Sequence, residues 1–126
     1  DFDSDEIDKY VAKKEKEENS LKNKLTQFFS GYSLALNSAM NENNFDLISS
    51  YFKKNTSLYD TMKHQLENNQ LVSFQTNQVI SASQSGDKVK ATIQQINENG
   101  QLINKDYELE ETSKGNDFNL IKESNE

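Results

Sequence analysis

The sequence predicts an α+β fold in which three N-terminal helices pack on a curved, four-stranded antiparallel meander. Apolar residues recur every three or four positions between residues 21 and 68, which is typical of amphipathic helices. After Asn69 the apolar period changes to two, and glycine-containing turns divide the remaining residues into alternating segments. Helices that precede strands in this way indicate that the helices cover one face of the sheet.

Residues 1–20 are mostly charged and differ from the rest of the chain. The run KKEKEE, residues 13–18, indicates a solvated helical face or a linker rather than a binding tract. We therefore expect residues 1–20 to be a charged helical lead-in from an upstream domain, and residues 21–126 to form one α+β domain. Because the first residue is Asp1, we also expect a fragment or a processed form, with any targeting segment or anchor upstream.

The first predicted helix of the domain has one strongly apolar face. Gly31 interrupts this face at a cost of about 1 kcal/mol relative to Ala, which indicates that another element passes close to it. The polar segment NENN, residues 41–44, ends the helix. The apolar face consists of Leu21, Leu25, Phe28, Phe29, Tyr32, Leu36, Ala39 and Met40.

Two shorter helices are predicted next. Asn44 can cap a second helix that runs from Phe45 to Phe52. A third helix follows from about Ser57 to Asn68, and Ser57 with Asp60 has the spacing of a capping box.

Each turn between the predicted strands contains a glycine. Asn-Gly is a strong signal for a two-residue type I′ hairpin, in which both central residues need a positive φ. The inward-facing phase slips at Gln95-Ile96, so we expect a β-bulge there. The three turns are Ser85-Gly86-Asp87, Asn99-Gly100 and Lys114-Gly115-Asn116.

The apolar side of the strands is expected to face the first helix, because no other apolar surface in the chain is large enough. Long side chains from the helix and the strands would meet in that space. They either line a ligand cavity or fill the space completely. These residues are Phe29, Tyr32, Phe74, Ile93 and Tyr107.

Composition excludes several classes of function. The net charge is −7, from 21 acidic residues and 14 bases that are all Lys, which argues against a nucleic-acid partner. There is no Cys, so a thiol nucleophile, a disulfide and a cysteine zinc site are excluded. His64 is the only histidine, and it lies off the apolar stripe of its helix with no further ligand at a recognisable spacing. We therefore predict no metal site, no cofactor and no catalytic residue.

The acidic residues of the third strand form the second candidate site. Asp106, Glu108 and Glu110 alternate with Tyr107 and Leu109, so they are expected to point outward. They would form an acidic strip beside Lys88, Lys90 and Lys105. The strip either faces a cationic partner or keeps the exposed face of the sheet soluble and unpaired. Such a charged face also argues against a large apolar dimer interface, so we expect a monomer for the isolated chain.

The order of a long helix, two shorter helices and a bent meander resembles the cone-like nuclear-transport-factor-two (NTF2) fold, shared with ketosteroid isomerase and scytalone dehydratase. The resemblance covers about Leu21 to Lys122. The segment LTQFFSGYSLALNSAMNENNFDLISSYF and the Lys- and Asn-rich, charged lead-in are most similar to the C-terminal extracellular domain of the teicoplanin-resistance-associated membrane protein (TcaA) family of staphylococci and related Firmicutes. Members of that family look like a cytoplasmic zinc ribbon, one membrane helix and several extracellular domains.

The resemblance implies a non-enzymatic module at the extracellular face of a Gram-positive cell membrane, linked to the glycopeptide-antibiotic response. It implies a protein or cell-wall partner, such as peptidoglycan or teichoic acid, and a membrane link only through a segment missing from this chain. Two alternatives stay open: a small-molecule-binding cone, and an isomerase or dehydratase on the same scaffold. Isomerase chemistry needs an inward carboxylate opposite a donor pair. Tyr32 and Tyr107 could supply the donors, but the sequence predicts no inward acid.

Overall fold

The structure, a computed structural model, describes residues 4–113 and 117–125. The helical elements precede the strands, and each strand pairs antiparallel with the next one along the chain. The predicted α+β class and the four-stranded antiparallel sheet are therefore confirmed. The elements are α1 (Ser4–Glu42), two 3₁₀ turns (Phe45–Leu47 and Ser49–Tyr51), α2 (Ser57–Glu67), β1 (Phe74–Ser85), β2 (Lys88–Asn97), β3 (Leu102–Glu111) and β4 (Phe118–Asn125).

Helix α1 is continuous for 39 residues, so the charged lead-in and the apolar helix belong to one element. It ends at the predicted polar segment, where Asn43 adopts a φ of 51°. The backbone N–H of Asn44 donates to the carbonyl of Ala39 at 3.0 Å. This bond satisfies a carbonyl that would otherwise lack a partner at the helix end, as in a Schellman motif.

The predicted second helix is wrong: the chain forms two 3₁₀ turns instead. Asn44 does cap the first turn, because its Oδ1 accepts the N–H of Asp46 at 3.1 Å. The turns meet at Ile48, whose φ of −120° and ψ of −6° break the helical path. Ser49 then donates its hydroxyl to the carbonyl of Asp46 at 3.3 Å, which is the local competition that disfavours serine in helix interiors.

The third predicted helix is present as α2, but its cap lies one residue earlier than expected. Thr56 Oγ1 accepts the N–H of Tyr59 at 3.2 Å, so Thr56 and not Ser57 is the N-cap. Leu58, Met62 and Leu66 are buried as the helical spacing predicts.

Two turns join the described strands. At the β1–β2 turn, Gly86 has a φ of 63°, which suits glycine at the first central position of a tight hairpin. At the β2–β3 turn only Gly100 has a positive φ, so the predicted type I′ turn is wrong. Gly100 N–H donates to the carbonyl of Asn97, and Asn97 N–H donates to Gln101, which makes a three-residue loop. The predicted turn at residues 114–116 lies outside the described residues.

β-Bulges interrupt two of the three strand pairs. Register shifts fall between Thr76 and Gln78 and between Val79 and Ser81 on β1, and at Glu108/Leu109 where β3 pairs with β4. The predicted bulge at Gln95-Ile96 is wrong, because β2 pairs with β3 without interruption and the extra residues are on β1. Bulges increase the local bend and twist of a strand.

The core lies between α1, the 3₁₀ turns, α2 and the inner face of the sheet. A short bridge between Phe52 and Leu120, with the N–H of Lys53 donating to Leu120 at 2.8 Å, covers part of the β4 edge. The buried apolar residues are Leu25, Phe28, Phe29, Tyr32, Leu36, Ala39, Phe45, Ile48, Phe52, Leu58, Met62, Leu66, Val89, Ala91, Ile93, Tyr107, Leu109, Phe118 and Leu120.

Candidate functional site

The five residues predicted to meet beneath the sheet all lie in or against the core. Phe29, Tyr32, Ile93 and Tyr107 are buried, and Phe74 is half-buried. The ring of Phe29 lies 4.7 Å from that of Tyr107 and 6.4 Å from that of Tyr32. The ring of Tyr32 in turn lies 5.7 Å from that of Phe74. These rings occupy the space in which a ligand cavity was considered.

A buried amide lies beside these rings. Gln95 follows Val89, Ala91 and Ile93 on the inner face of β2, so the inward phase does not slip there. Its Nε2 donates to the hydroxyl of Tyr107 at 2.6 Å. Thr76, opposite Gln95 in the register, has a buried hydroxyl with no hydrogen-bond partner. Gln95 is not recognisable from the sequence, because a glutamine at an inward position resembles a break in the apolar pattern.

An acid also lies on the inner face, contrary to the sequence-based expectation. Glu123 is the register partner of Tyr107 and therefore projects from the same face of the sheet. Simple alternation from Leu120 would have placed Lys122 inward. The extra residue Ile121 on β4 reverses the phase, because a one-residue shift moves each following side chain to the opposite face.

Glu123 is paired with a base. Lys105 Nζ lies 3.6 Å from a carboxylate oxygen of Glu123, and both side chains are about a quarter exposed, at 24% and 23%. Lys105 was expected on the outer face, but it is the register partner of the buried Ile93 and lies on the inner face. The pair therefore stands at the margin of the aromatic cluster, where it is partly hydrated.

The two inner tyrosines are held in the neutral form. Burial raises the pKa of Tyr32 well above its usual value, and the neighbouring Tyr107 and Glu123 raise it further. Burial and the charge of Glu123 also raise the pKa of Tyr107, while the hydrogen bond from Gln95 partly offsets this effect. Both hydroxyls therefore keep their protons at physiological pH.

The predicted acidic strip lies on the outer face, but bases and hydroxyls surround it. Asp106 accepts a hydrogen bond from Thr92 Oγ1 at 2.6 Å. Glu108 has Lys90 on one side and Lys122 on the other in the strand register. The outer face therefore carries acidic and basic side chains side by side and is not an acidic surface.

The third acid of the strip, Glu110, is engaged in two ion pairs. Its carboxylate lies 2.6 Å from Lys53 Nζ and 3.5 Å from Lys88 Nζ. The hydrogen bond from Lys53 is the main reason that the pKa of Glu110 lies below its usual value. A carboxylate already held by two lysines is poorly suited to bind a cationic partner.

His64 is exposed near the end of α2, where its ring contacts the side-chain amide of Asn68 at 3.3 Å. No group of three or more His, Cys, Asp or Glu residues that could hold a metal ion occurs in the described part of the chain.

Among the open grooves on the surface of the described residues, one lies on the outer face of the sheet and another beside the β1–β2 turn. The outer-face groove has a volume of about 400 Å³ and is lined by hydroxyl and charged side chains that include Ser81, Ser83, Lys90 and Glu108. The end groove, of about 590 Å³, lies between α1 and the β1–β2 turn. Of the five residues predicted to line a cavity, Tyr107 borders the outer-face groove, and the other four border none of the larger grooves found among residues 4–113 and 117–125.

Comparison of the sequence with those of known proteins identifies the family of this chain. The sequence profile of the TcaA protein NTF2-like domain matches residues 21–124. The chain is 55% identical over 122 residues to the membrane-associated protein TcaA of Staphylococcus epidermidis, and 52% identical over 123 residues to that of Staphylococcus aureus. These matches cover 97% and 98% of this chain but 26% of each relative, so the chain spans about a quarter of their length.

Among solved structures, a de novo designed β-sheet protein determined by solution NMR aligns with 80% of this chain and 88% of its own. It has 14% sequence identity and a TM-score of 0.41, so the likeness carries no argument about this fold. None of the helices in the described ranges is long and apolar enough to cross a membrane.

Proposed function

This chain belongs to the TcaA family, as its NTF2-like domain, and from that premise we propose that it is a non-enzymatic extracellular module of a membrane-associated cell-envelope protein. In this proposal the module binds a protein or a cell-wall component, such as peptidoglycan or teichoic acid, and takes part in the glycopeptide response. The membrane attachment lies in a segment outside this chain. The names of the staphylococcal relatives, membrane-associated protein TcaA, support the envelope location.

The observation that carries the proposal is the filled inner face of the sheet. Phe29, Tyr32 and Tyr107 are almost fully buried and in ring contact, which leaves partner binding to the outer surface. Small-molecule sites are usually clefts that enclose most of the ligand. The filled face therefore favours surface binding over the small-molecule alternative, whereas the bulges in β1 and β4 support a cone-like curvature of the sheet.

One observation supports the enzyme alternative, and two others argue against it. Glu123 beside Tyr32 and Tyr107 supplies the inward acid that isomerase chemistry needs. However, Lys105 already pairs with Glu123, and aromatic rings occupy the space that a substrate would need. A general base must also lie within hydrogen-bond reach of a bound substrate. We therefore retain a non-enzymatic module as the proposed function.

Calorimetric titration of the purified domain with peptidoglycan fragments, teichoic acid and teicoplanin tests the proposal. Backbone amide hydrogen exchange then locates the contact. We expect at least one of these components to bind, with new protection confined to surface segments. Absence of binding by all three, together with failure of the domain to retain any envelope protein, would contradict the proposed function. Protection centred on Tyr32 and Tyr107 would instead favour an inner ligand site.

A further inference from the structure

The end groove has an apolar floor and a polar margin. Leu21 and Ala82 are half-buried, and Phe118, the third apolar lining residue, is buried. The remaining lining residues are exposed, and apart from Gly86 they are polar or charged. The complete lining is Glu17, Ser20, Leu21 and Lys24 from α1 with Ala82, Ser83, Gln84, Gly86, Glu111 and Phe118 from the sheet.

The charge around this floor is predominantly negative. Among the described lining residues, the acids are Glu17 and Glu111 and the one base is Lys24. Neither acid forms an ion pair within 4.0 Å with another residue in the described part of the chain. Asp87 and Asp117 line the two adjoining depressions and extend the same sign of charge.

One of the two acids is held in place by a neighbouring side chain. The Nε2 of Gln84 donates to the carboxylate of Glu111 and also to the carbonyl of Gly86, the latter at 3.0 Å. An amide can hold a carboxylate in this way without neutralising it. Glu111 therefore has less freedom to move in the groove than an ordinary surface glutamate.

We propose that the end groove binds a cationic amphipathic peptide segment, with an apolar side chain on the floor formed by Leu21, Ala82 and Phe118 and basic side chains against Glu17 and Glu111. The proposal rests on the proposed function, since it supplies a site and a chemical class for the protein partner. Apolar contact in a pocket with opposite charge at its margin is the usual arrangement of a specific peptide site.

Other ligand classes fit the groove less well. An anionic polymer would be repelled by Glu17 and Glu111. A sugar ring would lack an exposed aromatic surface, because Phe118 is the only aromatic residue of the lining and is buried. A peptide with one apolar and two basic groups uses both the floor and the margin.

Fluorescence anisotropy with a labelled peptide of Leu and Lys measures the interaction. A Ser and Lys peptide of equal charge tests the apolar floor, and a Leu and Glu peptide tests the sign of charge. We expect the Leu and Lys peptide to bind roughly tenfold more tightly than either control, which is a difference of about 1.4 kcal/mol. Added salt should weaken the binding.

Two pairs of variants locate the site. Ser20→Arg places a cation in the groove, whereas Ser30→Arg makes the same change at another exposed serine of α1. We expect Ser20→Arg to weaken binding roughly tenfold relative to Ser30→Arg. The double variant Glu17→Gln and Glu111→Gln should weaken binding similarly, and Glu42→Gln with Glu98→Gln, at exposed acids outside the groove, should not.

The outcomes separate this proposal from the proposed function. Equal binding of the Leu and Lys and the Ser and Lys peptides, or equal effects of the arginine variants, would overturn the end-groove site. Absence of peptide binding would also overturn it. If a wall component still bound the domain in these cases, the proposed function would stand without this groove.

Discussion

Asparagine has a specific backbone role at the ends of both α-helices. Asn43 follows α1 with a φ of 51°, and Asn69 follows α2 with a φ of 56°. After α2, the N–H of Gln70 donates to the carbonyl of Gln65 at 2.8 Å, which repeats the bonding pattern found after α1. Asparagine tolerates this left-handed conformation better than other residues with a side chain, apart from aspartate.

Replacement of Asn69 tests this role. We expect Asn69→Ala to lower the free energy of unfolding by about 1 kcal/mol, because alanine has a Cβ but no side-chain amide to stabilise a left-handed backbone. Asn69→Gly should be neutral or slightly stabilising. Urea unfolding measures both. Asn41→Ala is the control, since Asn41 lies inside the α1 helix and should not be destabilised; equal loss in Asn41→Ala and Asn69→Ala would contradict this account.

The inner tyrosines predict a loss of stability in alkali. Their pKa values are raised in the folded domain, so the stability they contribute is complete below about pH 10, the unfolded pKa, and is lost as the pH rises through the folded value. Each tyrosine should cost about 1.4 kcal/mol per pH unit in that range. Urea unfolding between pH 9 and about pH 11 measures the slope. Tyr107→Phe should reduce this slope.

The sequence predicts which aromatic residues meet, because their helical and strand periods point them to the same space. It does not predict Gln95 or Glu123 on the inner face. Glu123 faces inward only because Ile121 is an extra residue opposite β3. That event depends on how two strands align, and neither strand carries a local signal for it.

Two adjacent residues, Thr56 and Ser57, have side chains that could cap the N-terminus of α2, and only Thr56 does so. Thr56 Oγ1 accepts the N–H of Tyr59, so Thr56→Ala should lower the free energy of unfolding by about 1 kcal/mol. Ser57→Ala should have little effect, because Ser57 is the first helical residue and is exposed. Thermal unfolding followed by circular dichroism compares the two. A larger loss in Ser57→Ala would restore the sequence-based assignment.

Glu110 connects two elements by charge, since it joins Lys53 of the loop before α2 to Lys88 of β2. Its folded pKa is lowered, so the stability from this contact is present above the unfolded pKa and is lost as the pH falls through the folded value. Glu110→Gln should therefore be less stable than the parent at pH 7, and the difference should disappear in acid. Glu108→Gln, which removes a neighbouring acid of the same strand without a described ion pair, is the control. A pH-independent difference would contradict the assignment.

At the level of elements, the presence and the order of the strands can be predicted from the sequence. The signals for them, apolar residues at every second position and glycine-containing turns, lie within short segments of the chain. The 3₁₀ turns and the bulges do not follow. Ser49 and Ile48 interrupt a helix by local competition and backbone angle, while the bulges on β1 are set by the register with β2. The bulges depend on contacts between segments that are far apart in sequence, whereas the 3₁₀ turns depend on local competition that the apolar pattern does not report.

For the whole molecule, the predicted domain boundary at residue 21 can be tested by truncation. Leu21 is the first α1 residue described as packed against the core. Removal of residues 1–20 should reduce the helical signal but change the free energy of unfolding by less than about 1 kcal/mol. Removal of residues 1–25 also deletes the buried Leu25 and should cost several kcal/mol. A similar loss in both truncations would place the boundary earlier.

Because α1 is continuous through Leu21, the orientation of its N-terminal part relative to the sheet depends on the number of residues between them. Successive residues of an α-helix are rotated by about 100° and advance by about 1.5 Å along the axis. One residue inserted between positions 16 and 20 would therefore turn everything on its N-terminal side by about a quarter of a revolution relative to the sheet. The number of residues in this segment therefore fixes the orientation of the N-terminal part of α1 as well as its distance from the sheet, and an insertion of about seven residues, close to two full turns, would preserve the orientation while changing the distance.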